Sequence, residues 1–207
     1  MTEARPQTPA QAWQAMQAGN RRFVTDSREH PNQDVDRRNA LAAAQVPFAA
    51  LFGCADSRLS AEIIFDVGLG DLFVVRNAGQ VIAETILGSL EYAVEVLKVP
   101  LILVLGHDEC GAVRAAINAT EGKLAARGQY IQHIVAAIQP TVTNANAIGR
   151  GDIDSVTELH IEDTIQDIVT KSKVIAEAVE AGNLAIVGAN YKLSGGEVHP
   201  LVVVGQI

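Results

Sequence analysis

Residues 101–111 read LILVLGHDECG, an apolar run that ends at a glycine and is followed by a histidine and a cysteine three positions apart. A continuous apolar run bounded by a turn residue is typical of a strand buried on both faces of a parallel sheet. His107 and Cys110 are both ligands that zinc accepts, but a zinc site needs three or four protein ligands. The stretch therefore predicts a central strand that ends at part of a metal site.

Other stretches share the continuous apolar character of residues 101–106: they are FAALFG at 48–53, LFVVR at 72–76 and LAIVGANYKL at 184–193. Residues 82–98 have one apolar face and predict a helix between two of these strands. Apolar strands that alternate with amphipathic helices imply right-handed crossovers and a parallel sheet with helices on both faces. We therefore predict an α/β fold with a mostly parallel sheet of four strands. VHPLVVVG at 198–205 follows an SGGE turn and predicts a C-terminal antiparallel strand.

The rest of the chain is predicted to be largely helical. Thr8 and Pro9 suit the start of a helix that runs to about Val24, and the polar residues 26–39 predict an extended arm. Further helices are predicted at residues 37–44, 111–119, 128–148 and 155–181. The length suits a single domain over residues 1–207, with residues 1–40 as the N-terminal helix and arm.

The composition argues against several classes of function. The net charge is -8, with no dense basic cluster, so a nucleic-acid backbone would be repelled. No apolar run approaches the roughly 20 residues of a membrane-spanning helix, and the N-terminus lacks the pattern of a signal peptide. Two cysteines are too few for a disulfide framework. We therefore expect a cytoplasmic protein with no membrane partner, in which the cysteines are thiols, thiolates or metal ligands.

The other cysteine, Cys54, directly follows the predicted strand at 48–53. Because open parallel sheets gather ligands at the carboxyl ends of their strands, Cys54, His107 and Cys110 can converge in one crevice. Two cysteines and one histidine with a vacant fourth position form a catalytic zinc composition. The alternative is that the cysteines are small buried apolar residues or a disulfide pair. Their positions in polar, glycine-flanked loops favour the metal site.

Asp56 and Arg58 lie within four positions of Cys54, in the sequence CADSR. They can form an ordinary loop ion pair. Beside a metal, however, the carboxylate of Asp56 can hydrogen-bond a metal-bound water or replace that water as the fourth ligand.

The motifs CADSR, FVVRNAG, EYAV and GHDECGAV, in this order over residues 40–115, resemble those of the beta-class carbonic anhydrases. The resemblance implies a zinc ion held by Cys54, His107 and Cys110, with Asp56 and Arg58 as a catalytic dyad. Gln45, nine positions before the first cysteine, matches the plant-like branch of the family. Leu51 stands where the branch with an allosteric bicarbonate site has tryptophan. The same resemblance implies a substrate pocket formed by Gln45, Phe73, Ala78, Tyr92 and Gly111.

The implied activity is the reversible hydration of carbon dioxide to bicarbonate and a proton by zinc-bound hydroxide. The resemblance also implies a closed form in which Asp56 is the fourth zinc ligand. It further implies a homodimer or a tetramer, with pocket aromatics supplied partly by a partner subunit. We expect the helix at residues 9–24 to reach across to that partner.

Two other functions are compatible with the same ligands. A hydrolase of carbonyl sulfide or carbon disulfide would act on a similar linear molecule at the same zinc site. A non-catalytic zinc module is disfavoured because a scaffold needs neither the Asp56–Arg58 pair nor Gln45. Each remaining histidine is interpreted as a surface or core residue rather than a proton shuttle; these are His30, His133, His160 and His199.

Overall fold

A computed structural model describes residues 5–123 and 127–207, so residues 1–4 of the predicted N-terminal region lie outside it. The strands are β1 (Ala49–Cys54), β2 (Leu72–Asn77), β3 (Leu101–His107), β4 (Ala185–Tyr191) and β5 (Val198–Val204). The helices are α1 (Pro9–Val24), α2 (Val35–Ala40), α3 (Ala61–Ile64), α4 (Glu84–Glu95), α5 (Gly111–Thr120), α6 (Gln129–Ala147), α7 (Ile153–Lys171) and α8 (Lys173–Glu180). A 3-10 turn, Ala78–Gln80, follows β2. Among the described residues, no helix is both long and apolar enough to span a membrane.

The five strands form one sheet in the order β2-β1-β3-β4-β5. The first four are parallel, and β5 pairs antiparallel with β4. The predicted α/β fold with a C-terminal antiparallel strand is therefore confirmed. Because β1 lies between β2 and β3 and all three are parallel, the loops that follow these strands lie side by side at the carboxyl ends of the strands.

The central strands read as continuous apolar runs because they are buried on both faces. Every residue of β1, β3 and β4 is buried. One face of the sheet packs against α1, α3, α5 and α6, and the other packs against α4, α7 and α8. Side chains that alternate along a strand therefore enter different cores: Leu103 lies in the first and Val104 in the second.

The N-terminal helix packs on its own chain. Its apolar face, with Ala12, Trp13 and Met16, joins the core under β1 and β3. Gly19 permits a close approach, since a Cβ at this position would lie 1.7 Å from the carbonyl oxygen of Phe65. The apolar face of this helix is therefore buried within its own chain, and the expectation that the helix also reaches across to a partner subunit stays a prediction.

Two aspartates hold the polar arm on the same chain. The Asp66 carboxylate accepts hydrogen bonds from the backbone N–H groups of Glu29 and His30, both at 3.0 Å, and from Arg22 Nε. Asp71 accepts hydrogen bonds from the side chains of two arm residues, Asn32 and Arg37. The arm is therefore fixed by buried carboxylates rather than by apolar contacts.

The Asp66 carboxylate predicts an acid-sensitive contribution to stability. Burial alone would raise its pKa. The N–H groups of Glu29 and His30 and the Arg22 guanidinium together lower the pKa by more than burial raises it, so the net shift is downward. A lowered folded-state pKa adds stability above the unfolded-state value of about 4, and this contribution disappears as the pH falls through the folded-state value. Asp66→Asn should therefore reduce the free energy of unfolding at pH 7 by about 2 kcal/mol.

Urea unfolding at pH 7 and at acidic pH measures the free energies of unfolding of the wild type and the variant. The difference between them should become smaller below about pH 4, because the Asp66 carboxylate of the wild type then takes up a proton. Asp36→Asn makes the same chemical change at an exposed position and should have little effect. An Asp66→Asn variant as stable as the wild type at pH 7 would contradict the assignment.

The helix predicted at residues 155–181 is two helices. Ser172 has φ -113° and ψ 106°, which ends α7. Its hydroxyl group accepts a hydrogen bond from the backbone N–H of Ile175 at the start of α8 and donates one to Glu91 on α4 at 2.6 Å. Ser172 stands at helical spacing from Ile168 and Ile175, which predicts one continuous helix, but its hydroxyl caps α8 and so the chain breaks there.

Candidate metal centre

The first candidate ligand, Cys54, is the last residue of β1 and is 6% exposed. Gly53 precedes it where β1 runs close to β3, since a Cβ there would lie 3.2 Å from the carbonyl oxygen of Leu105. The close pairing of these strands places Cys54 beside the residues that follow β3.

The other two candidate ligands lie at the end of β3 and the start of α5. His107 is the last residue of β3, and Cys110 is the N-cap of α5. Between them Glu109 adopts a left-handed conformation with φ 54°, which turns the chain from the strand into the helix. The Sγ atoms of the two cysteines and a ring nitrogen of His107 all lie within 4.8 Å of one another. The predicted convergence of these side chains is confirmed.

The ring of His107 is oriented for a ligand at Nε2. Its Nδ1 lies 2.7 Å from the carbonyl oxygen of Asp108, which assigns the N–H to Nδ1 and leaves a lone pair on Nε2. That Nε2 is fully buried and has no hydrogen-bond partner among the described residues. A buried ring nitrogen without a partner, facing two sulfur atoms, suits a soft metal ion such as zinc.

The two sulfur atoms differ in their affinity for protons. The hydrogen bond with Cys110 lowers the pKa of the Cys54 thiol well below its usual range, and the N–H groups of Gly79 and Asp56 act in the same direction against burial. The same hydrogen bond, together with burial, raises the pKa of Cys110. The two thiols therefore differ in acidity, and a metal ion bound between them would stabilise both as thiolates.

Backbone N–H groups point at both sulfurs. Gly79 N donates to Cys54 Sγ at 3.4 Å. Cys110 Sγ accepts hydrogen bonds from the backbone N–H groups of Ala112 and Val113, in the first turn of α5. Such hydrogen bonds stabilise thiolates and weaken their electron donation to a metal. The sequence indicated the role of Gly79 only through its position in FVVRNAG after a strand, where a glycine permits φ 75°.

Asp56 and Arg58 form a two-pronged ion pair beside the three candidate ligands. Arg58 Nε donates to Asp56 Oδ1 at 2.9 Å, and Arg58 Nη2 donates to Oδ2 at 2.7 Å. This pair holds the pKa of the Asp56 carboxyl well below its usual range. Asp56 Oδ2 also lies 3.9 Å from His107 Nε2. One carboxylate oxygen therefore faces both the guanidinium and the candidate metal position.

Arg76 supports the loop that carries this pair. Its Nε donates to the carbonyl oxygen of Cys54 at 2.9 Å, and its Nη2 donates to that of Asp56 at 2.6 Å. Arg76 therefore fixes the backbone of the loop that carries Asp56 and Arg58.

The predicted pocket residues lie in three places. Ala78 and Gly111 are both exposed. Ala78 precedes Gly79, whose N–H contacts Cys54, and Gly111 follows the candidate ligand Cys110. A Cβ at Gly111 would meet no atom within 4 Å. Phe73 lies four residues before the end of β2, about 13 Å along the strand. Its ring centroid is 6.0 Å from that of Tyr92, which is 43% exposed. Gln45 is exposed before β1. A pocket role for these residues stays a prediction.

Comparisons with known proteins agree with this geometry. The carbonic anhydrase family model matches residues 49–198. Carbonic anhydrase 2 of Mycobacterium tuberculosis is 50% identical over 189 residues, which cover 91% of this chain and 90% of that protein. The carbonic anhydrase of Mycolicibacterium smegmatis is 45% identical, with 96% of both chains covered. The structure of Coccomyxa beta-carbonic anhydrase in complex with acetazolamide matches with a TM-score of 0.70 and 28% identity, covering 81% of this chain and 78% of that one.

A tetrameric beta-carbonic anhydrase of Sordaria macrospora shares the fold, with a TM-score of 0.71, 24% identity, and coverage of 79% of this chain and 85% of that chain.

Proposed function

Because the chain belongs to the beta-class carbonic anhydrase family, we propose that it catalyses the reversible hydration of carbon dioxide with a zinc ion held by Cys54, His107 and Cys110. The observation that carries the proposal is the convergence of these three side chains within 4.8 Å. The Asp56–Arg58 pair at the same place supports catalysis, since a purely structural zinc site has no use for it.

The donor set fits zinc. Cys54 Sγ, Cys110 Sγ and His107 Nε2 would be the ligands, two of them thiolates and one a neutral imidazole. A zinc ion with three such ligands and a free position lowers the pKa of water and so supplies a nucleophile near neutral pH. The N–H groups directed at the sulfurs offset part of the negative charge that two thiolates bring to the site.

Asp56 would orient the attacking water. Arg58 keeps its carboxylate ionised and fixed, so that Oδ2 can accept the hydrogen that points away from the substrate carbon. The closed form, in which Asp56 becomes the fourth ligand, is part of the proposal. It would require the carboxylate to leave Arg58, and the distance of 3.9 Å between Asp56 Oδ2 and His107 Nε2 supports a short movement.

We further propose that the pocket is completed in a homodimer or a tetramer. Strand β2 is at the edge of the sheet, and its first four residues are apolar and half-buried. Tyr92 on the adjacent α4 and Val96, which directly follows α4, are exposed. An apolar sheet edge of this kind is typical of an association surface. Phe73 and Tyr92 would then contribute to the partner's pocket rather than to their own. A stable, fully active monomer in sedimentation at dilute concentration would contradict this.

A cytoplasmic location remains part of the proposal. No disulfide joins Cys54 and Cys110, and a reducing compartment would keep both available as metal ligands.

The activity proposal is tested by assaying zinc-loaded protein with carbon dioxide and with carbonyl sulfide side by side. We expect rapid carbon dioxide hydration, which a chelator removes and added zinc restores. Hydrolysis of carbonyl sulfide without carbon dioxide hydration would favour the alternative hydrolase, whereas the relatives named above are all carbonic anhydrases. Zinc binding without either activity would leave only the non-catalytic module.

A further inference from the structure

A buried histidine far away in the sequence is connected to the metal centre through one glycine. His160, on α7, is 6% exposed, and its Nε2 lies 2.8 Å from the carbonyl oxygen of Gly79. The backbone N–H of the same glycine donates to Cys54 Sγ. The two peptide groups that flank the Gly79 Cα therefore join His160 to a candidate metal ligand.

The turn that contains Gly79, residues 77–81, has an unfavourable conformation. Gly79 has φ 75° and Gln80 has φ 45°, so two successive residues are left-handed. This conformation is strained for a non-glycine residue such as Gln80. The side chain of Gln80 is buried as well, and its Nε2 has no hydrogen-bond partner among the described residues. Contacts from outside Gln80 must therefore hold the turn in place.

Two side chains provide such contacts. Asn77 bridges the ends of the turn, because its side chain accepts from Val81 N at 2.9 Å and donates to Val81 O at 2.7 Å. His160 binds the middle of the turn at the carbonyl oxygen of Gly79. This second contact ties the turn to α7.

His160 is suited to a permanent donor role. Its burial lowers the pKa of the imidazole, which is therefore neutral near physiological pH. A neutral imidazole has one N–H group, and the carbonyl acceptor assigns that hydrogen to Nε2. The hydrogen bond to Gly79 consequently persists over the pH range in which an exposed histidine would titrate.

We propose that His160 is a positioning residue for the metal centre: it fixes the Gly79 turn so that the Gly79 N–H stays directed at Cys54 Sγ and limits the electron donation of that sulfur. The inference rests on the proposed zinc site. His160 is not one of the three candidate ligands, and the hydrogen bonds that connect it to Cys54 run through the backbone of Gly79.

The test compares His160 variants that keep or lose the donor. His160→Leu removes the N–H group. His160→Gln places an amide N–H near the position of Nε2, whereas His160→Asn has the same chemistry but a side chain too short to reach. Thr157→Val, one turn earlier on α7, replaces another buried polar group whose hydroxyl bonds only within the helix and serves as the matched control.

The main readout is the sulfur-to-metal charge-transfer absorption of the cobalt-substituted protein, which reports thiolate donation directly. We expect the band to move to lower energy in the leucine and asparagine variants, because Cys54 donates more strongly without its N–H partner. We also expect apparent zinc affinity, measured by chelator competition, to fall about 10- to 100-fold in these two variants. The glutamine variant and Thr157→Val should match the wild type in both measurements.

An unchanged band and affinity in His160→Leu would overturn the proposal. If that variant does not fold, the glutamine and asparagine variants decide between the same outcomes, and identical spectra for these two would also overturn it. A wild-type protein that binds neither cobalt nor zinc would instead overturn the proposed function, and this inference with it.

Discussion

Cys54→Ser, His107→Ala and Cys110→Ser should each reduce bound zinc from about one equivalent per chain to almost none and abolish carbon dioxide hydration. Each change removes one of three ligand atoms that lie within 4.8 Å of one another. Two remaining ligands cannot hold the ion against a competing chelator, and a serine hydroxyl, which keeps its proton near neutral pH, is a poor replacement for a thiolate. Metal analysis after dialysis against a weak chelator measures the loss.

The control must separate loss of a ligand from disturbance of a buried site. Tyr191 pairs with His107 across β3 and β4 and is 4% exposed, so Tyr191→Phe alters a buried neighbour without removing a candidate ligand. This variant should retain zinc, and far-ultraviolet circular dichroism should show all four variants folded. Stoichiometric zinc in all three ligand variants would contradict the assignment, and retention in a single variant would remove that residue from the ligand set.

The part of this site that the sequence predicts depends on the ends of neighbouring strands. The sequence predicts that Cys54 and Cys110 lie close together because each follows a continuous apolar run. The structure places the two strands concerned, β1 and β3, side by side. The strand order itself is not contained in the apolar pattern. Had β2 separated β1 from β3, the same two runs would have placed the cysteines on strands that do not pair.

The contacts that the sequence could not predict are long-range and polar. His160 and Gly79 are 81 residues apart and lie on different elements. The buried face of α7 contains apolar residues such as Val156 and Ile165, but it also contains the polar residues Thr157, His160 and Thr164. Periodicity identifies a buried face through apolar residues, so polar residues on it are recognised only when their tertiary partners are known.

The substrate pocket is less predictable still, because a single chain does not contain all of it. Ala78 and Gly111 lie beside the candidate ligand set, but Phe73 and Tyr92 lie along the sheet edge. Sequence motifs specify residue types at fixed positions without specifying which subunit's site each residue serves.

Asp56→Asn should retain zinc yet lose carbon dioxide hydration, with kcat/KM lower by about 100- to 10,000-fold. The substitution preserves the shape of the side chain, but an amide offers only one oxygen to Arg58, and its NH2 group repels the guanidinium where Oδ2 now accepts from Nη2 at 2.7 Å. The acceptor for the hydrogen of the attacking water is thereby lost or misdirected. Arg58→Ala should also reduce activity, because the backbone N–H of Arg58 alone would then orient the Asp56 carboxylate.

Glu109→Gln is the matched control, since Glu109 belongs to a second carboxylate–guanidinium pair, with Arg114, directly beside Cys110. Its side chain is 59% exposed, and an ion pair so exposed contributes little. The same carboxylate-to-amide change there should leave kcat/KM within about twofold of the wild type. Zinc content measured in every variant separates a catalytic defect from loss of the metal. Full activity in zinc-loaded Asp56→Asn would leave the Asp56–Arg58 pair as no more than a loop ion pair, the alternative that the CADSR motif also permits.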